Sequence, residues 1–194
     1  MQVKKDCDKR IGVGMRTAKD CALLSVFVAI LISAQLVLSA IPGVEVVTVL
    51  FVAYAFVVGW QKATFTATAF SLVRQLIFGF FPTVLILYLI YYNLLALVFG
   101  VLGKKIRDPK RWIFAITAVA CVCTVCFTMT DNILTTLWYG YSEKAMKVYF
   151  MASMPVMISQ VICTAVSVFC LFLPLFRIFN RFFTENLTFR LTRG

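Results

Sequence analysis

The stretch PTVLILYLIYYNLLALVFGVLGKKIRDPKR, residues 82–111, decides the fold. Between Pro82 and Lys104 no side chain carries a formal charge, and then Lys104, Lys105, Arg107, Lys110 and Arg111 crowd around Asp108-Pro109. A helix rises about 1.5 Å per residue, so roughly 20 apolar residues cross the ~30 Å hydrocarbon layer of a bilayer. This run has that length, and its charged end has the composition of a loop held in water. Runs of the same kind recur along the chain. Hydrophobic residues make up 62% of its 194 positions, against the ~45–50% usual in soluble domains. The mean hydropathy is +0.94. An integral membrane protein is expected.

Working outward, six apolar segments can be drawn at about 21–41, 44–60, 63–81, 83–103, 112–138 and 146–174. Pro42-Gly43, Gly59 with Gln61-Lys62, and Gly79 with Pro82 separate the first four through fixed φ, a missing donor or relaxed sterics. The loop 104–111 and the polar stretch YGYSEKAMK (139–147) separate the rest. The expected architecture is all-α, a six-transmembrane-helix bundle. A basic tail (1–20) precedes the membrane domain (21–174), and a second basic tail (175–194) follows it. Within that second tail, LFRIFNRFFTENLTF (175–189) reads either as an interfacial amphipathic helix or as the snorkelling end of the sixth span. The apolar part of the N-terminal region, 21–41, is longer than a signal-peptide core of about 7–15 residues and is read as a retained first span.

Charge sets the expected orientation. The formal net charge is +11. Of the 19 Lys and Arg residues, all but Arg74, Lys144 and Lys147 fall on one side of a six-span chain. The positive-inside rule places that side, and both termini, in the cytoplasm. The charge lies in gaps between spans, with no aromatic-basic module beside it, so nucleic acid is not an expected partner. The cysteines (Cys7, Cys21, Cys121, Cys123, Cys126, Cys163 and Cys170) lie in the first tail or in apolar runs, which gives no disulfide framework. Cys121-x-Cys123-x-x-Cys126 resembles a metal cluster in spacing but sits inside a span, where small polarizable packing residues are the better reading.

Arg74, inside AFSLVRQLIFGFFPT (69–83), is the one permanent cation within a span. By helix rise it lies about 18 Å beyond Lys62, in the outer half. A charge at bilayer depth costs at least about 2.5–3.5 kcal/mol, so Arg74 must face the bundle or a wet cavity. Two readings remain open: an ion pair with Asp131 or Glu45 that locks helices together, or an anchor for the acidic group of a ligand. A guanidinium fork suits carboxylate or phosphate better than an ammonium does. Asp131, Asn132 and Glu45 count to the outer edge, while Asn93 and Gln160 count to the middle. Tyr88, Tyr91, Tyr92 and Asn93 form an aromatic-amide group on which a planar ligand can stack. The candidate substrate contacts are therefore Arg74, Tyr88, Tyr92, Asn93, Asp131, Asn132, Gln160 and Glu45.

Polar stripes run along the fifth span (Thr117, Thr124, Thr128, Asp131, Thr135) and the sixth (Ser153, Met157, Gln160, Thr164, Ser167). Such stripes mark close helix packing more often than a ligand path. Small residues spaced by four form ridges on the first span (Ser25, Ala29, Ser33) and the third (Ala63, Ala67, Ser71), fit for packing within the bundle or against another membrane subunit. There is no histidine, no Walker lysine loop, no GxSxG and no HExxH. No enzyme activity, cofactor or metal is expected, and any ATP would be handled by a partner.

Six short spans, the ridge Ser25-x-x-x-Ala29-x-x-x-Ser33, the loop IPGVE (41–45) and the fourth-span ending YYNLLALVFGVLGKK (91–105) together resemble the substrate-binding S component of energy-coupling factor (ECF) transporters. In that family the first-span ridge is often built of alanines spaced by four. The resemblance implies a prokaryotic plasma-membrane protein that captures a vitamin or similar micronutrient from outside. It then docks through Ser25, Ala29 and Ser33 on a transmembrane T component carrying two cytoplasmic ATPases. A rival expectation from the residues alone is a structural or assembly subunit of a larger membrane complex, with no ligand of its own.

Overall fold

The structure is a computed structural model that describes residues 18–38, 46–106 and 108–191, the side chains of Lys19 and of 183–191 excepted. Six α-helices account for nearly all of it: α1 (Ala18–Leu38), α2 (Val46–Val58), α3 (Trp60–Phe78), α4 (Pro82–Lys105), α5 (Ile113–Trp138) and α6 (Glu143–Leu191). The fold is all-helical, and the described breaks, at Gly59, at Gly79 with Pro82, at the charged loop and at the polar stretch after Trp138, fall where the sequence predicts them. Four stretches are long and apolar enough to cross a membrane: Asp20–Leu38, Pro82–Lys105, Ile113–Trp138 and Glu143–Phe182. These are compatible with a membrane protein. At 13 residues α2 spans only about 20 Å, and α3 is diluted by Gln61, Lys62, its threonines, Arg74 and Gln75.

The short helix α2 is the centre of the bundle. Its sequence VVTVLFVAYAFVV is rich in β-branched residues, which are poor helix formers in water. In apolar surroundings the backbone must meet its own hydrogen bonds, and the helix is then the available solution. An all-round apolar helix belongs in an interior, and Val49, Phe51, Val52, Ala53 and Ala55 are fully buried. α1, α3, α4 and α6 pack around it, while α5 bridges α4 and α6. Phe27 of α1 stacks on Tyr54 of α2 with centroids 3.9 Å apart, and Phe56 meets Phe172 and Phe176 of α6 edge-on at 5.4 and 5.7 Å.

Gly59, with φ +88°, turns α2 into α3, a conformation that L side chains rarely adopt. The two helices fold back on each other, so Tyr54 and Thr66 meet at 2.9 Å across the turn. The Thr66 hydroxyl also lies 2.9 Å from the Lys62 carbonyl, to which it can donate. At the same end, Lys62 pairs with Asp20 of α1 at 3.0 Å. α4 arrives there through Gly100 and Gly103, whose missing side chains leave room for the backbones of Trp60 and Phe56. The starts of α1 and α3 and the finish of α4 therefore share one basic end of the bundle. Gly79 (φ +99°) and Pro82 at the first position of α4 make the tight turn at the opposite end.

α5 and α6 run antiparallel along a seam of polar side chains. The Thr124 and Thr164 hydroxyls meet at 3.2 Å, Thr128 donates to Gln160 Oε1 at 3.1 Å, and Asn132 Nδ2 donates to Ser153 at 2.7 Å. The polar stripes of these two helices thus pack against each other. α6 continues without a break through the sixth apolar segment into the basic region beyond it; its 49 residues measure about 73 Å.

Candidate functional site

The site forms at the end of the bundle opposite Lys62, where α1, α3, α4 and α5 converge on Tyr88. Arg74 stands one turn before the end of α3. Its guanidinium carbon lies 4.0 Å from the Tyr88 ring centroid and 5.0 Å from that of Phe78. Gln35 of α1 donates from Nε2 to the Tyr88 hydroxyl at 3.1 Å. Phe127 of α5 meets Tyr88 edge-on at 6.0 Å, and Phe70 and Tyr92 back it at 6.4 and 5.4 Å. The tyrosine is clamped at its hydroxyl and along its edges, and it offers its face to the cation.

An aromatic face stabilises a guanidinium by about 0.5–1 kcal/mol where exposed and by about 2 kcal/mol or more where desolvated. Placing the charge at bilayer depth costs at least about 2.5–3.5 kcal/mol, so the two rings offset a large share of that cost. Among the described residues no carboxylate adds to them. Arg74 makes no ion pair there, with Asp131 or any other acid, and its buried Nε has no acceptor. The Oε1 of Gln35 is likewise buried without a hydrogen-bond partner. A donor and an acceptor are thus left unmet beside one tyrosine.

The other candidates distribute as follows. Tyr92 is buried beneath Tyr88, edge-on to Phe51 at 5.2 Å and Phe70 at 4.9 Å, and forms the floor of the site. Asp131 is half-buried one turn beyond Phe127 on nearly the same side of α5, and accepts from Thr135 at 3.4 Å. Asn93 lies five residues past Tyr88, about 140° around α4; its Nδ2 donates to the Leu89 carbonyl at 2.8 Å. Asn132 and Gln160 are taken up by the α5–α6 seam. Glu45 and the rest of IPGVE (41–45) lie outside the described residues, as do 1–17 of the basic tail with Cys7.

The structure thus gathers Arg74, Tyr88 and Tyr92 and sets Asn93, Asn132 and Gln160 apart. It adds Gln35, Phe78 and Phe127, which sequence reading passed over. Gln35 had a signal, as the one amide in the apolar run of the first helix. Elsewhere, Ser25, Ala29 and Ser33 are all exposed along α1, whereas Ala63, Ala67 and Ser71 of α3 are buried inside the bundle. Among the described residues no group of His, Cys, Asp or Glu is placed to hold a metal ion.

Comparison adds no relative. No protein-family model, curated protein or solved structure matches this chain.

Proposed function

We propose that this protein is the substrate-capture subunit of an ECF-type importer. It spans the membrane of a prokaryotic cell six times with both termini in the cytoplasm, and it binds a vitamin-like micronutrient at the Arg74–Tyr88 site. The single observation that carries this reading is a permanent cation seated on two aromatic rings with no acid beside it among the described residues. A structural arginine deep in a bundle is ordinarily paired; one with no acid beside it among the described residues fits a ligand that brings the anion. The basic end then faces the cytoplasm and the site faces outward, in keeping with the distribution of charge.

The exposed Ser25–Ala29–Ser33 face of α1 supports the second half of the reading. Small residues on an exposed helix face permit close approach by another helix, here a T component bound to two ATP-binding subunits. With no nucleotide motif of its own, the chain leaves ATP hydrolysis to those partners.

The test is binding of a micronutrient panel to the purified protein, together with co-purification with a T component after co-expression. Arg74→Gln is expected to remain folded and to lose the bound compound, while Ala29→Leu is expected to lose the T component and keep the compound. A folded wild-type protein that binds nothing in the panel and captures no T component contradicts the reading and favours an assembly subunit.

A further inference from the structure

The unmet groups around Tyr88 say what kind of molecule completes them. Arg74 contributes a cation with a buried, unsatisfied Nε–H, positioned over the face of the ring. Gln35 contributes a buried, unsatisfied Oε1 beside the ring's hydroxyl, because its Nε2 is already committed to that hydroxyl at 3.1 Å. One group asks for an anionic acceptor and the other for a hydrogen-bond donor. Both groups adjoin the same tyrosine, one at its ring and the other at its hydroxyl.

Leaving a buried polar group unmet costs about 1–3 kcal/mol, and more where charge is involved, so a molecule that meets both is selected over one that meets either. The surroundings fix the rest of the shape. Aromatic side chains border the unmet groups, Phe78 beside the guanidinium and Phe127 edge-on to Tyr88, which favours a planar ring over a flexible chain.

Resting on the ligand-capture reading above, we infer that the cargo is a small planar acid that also carries an O–H or N–H donor. Its acidic group bonds Arg74, and its donor bonds Gln35 Oε1. A neutral ring compound leaves Arg74 unmet, and an acid without the donor leaves Gln35 unmet.

Three probes separate these terms: 4-hydroxybenzoate, 4-methoxybenzoate and 4-hydroxybenzamide. Affinities are measured by titration against the full-length protein in nanodiscs, with size exclusion confirming that each variant is folded. The hydroxy acid is expected to bind at least about tenfold more tightly than either of the others. Gln35→Leu should abolish its advantage over the methoxy acid and leave its advantage over the amide. Arg74→Gln should abolish the advantage over the amide, and Arg74→Lys should retain part of it. Equal affinity for all three probes, no binding of any of them, or preferences that neither substitution alters, would overturn the inference. In each of those cases the capture reading is judged separately: a different compound whose binding Arg74→Gln abolishes leaves it standing, and no such compound removes it as well.

Discussion

Gly103→Ala tests the tightest crossing in the bundle. A Cβ built on Gly103 falls 2.9 Å from the Phe56 carbonyl carbon and 3.0 Å from its Cα, and closer still to its carbonyl oxygen. These are backbone atoms of the buried helix α2, so no side chain can rotate away and the helices themselves must part. Overpacking of this kind costs about 1–3 kcal/mol. Against it stands the gain of about 1 kcal/mol from replacing glycine by alanine within a helix. Contacts this short against backbone place the clash at the upper part of its range, which leaves a net loss of about 1–2 kcal/mol. For a chain of this size each kcal/mol moves the midpoint by ~2–4 °C, so a fall of about 2–8 °C is expected. The assay is thermal unfolding of detergent-solubilised protein, followed by helical circular dichroism. Val101→Ala, at an exposed position of the same helix, serves as control and should lie within about 0.5 kcal/mol of wild type. A Gly103→Ala protein more stable than wild type would refute the reasoning, because helix propensity would then have acted without an opposing clash.

Other consequences are more local. Gly100→Ala meets Trp60 in the same manner and should also lower the midpoint; combined with Gly103→Ala, its effect should be less than additive, because both relieve themselves by the same separation of α4 from the α2–α3 turn. In the α5–α6 seam, a double-mutant cycle with Thr128→Val and Gln160→Leu should return a coupling of about 0.6 kcal/mol, the scale of hydrogen bonds between membrane helices. A coupling of zero would show that the two side chains do not bond. For the partly exposed Asp20–Lys62 pair, Lys62→Met should cost less than about 1 kcal/mol, measurable as a small shift in the same unfolding assay; a larger loss would mean that the pair is far less solvated than its exposure indicates.

The helices were legible in sequence because their stops are local chemistry. Gly59, Gly79-Pro82 and the KKIRDPKR loop interrupt a helix whatever its neighbours are. The central place of α2 was not legible. Hydropathy cannot separate a helix buried in protein from one facing lipid, since lipid tails are as apolar as leucine; α1 and α2 read alike, yet one is largely exposed and the other enclosed. The polar stripes of α5 and α6 showed their periodicity, and packing was their better reading, but Asn132 lay off the stripe that was drawn and still reaches Ser153 through the length of its side chain.

Within the site, Arg74 and Tyr88 stood out singly, a charge and a ring in apolar runs. Their approach across the α3–α4 turn, and the arrival of Gln35 from α1, depend on how three helices cross. Residue spacing carries no record of that. Depth counting likewise put Asn93 and Gln160 at a suitable level but said nothing of azimuth: Asn93 points well away from Tyr88 around α4, and Gln160 faces Thr128.

Native mass spectrometry of gently purified wild-type and Arg74→Gln proteins addresses the guanidinium most directly. A small acidic molecule should travel with the wild-type chain and be missing from the variant, with both proteins eluting as folded monodisperse species. If the variant carries the same molecule at the same occupancy, Arg74 merely reaches toward the membrane surface along Phe78, and the cation was never there to hold a cargo.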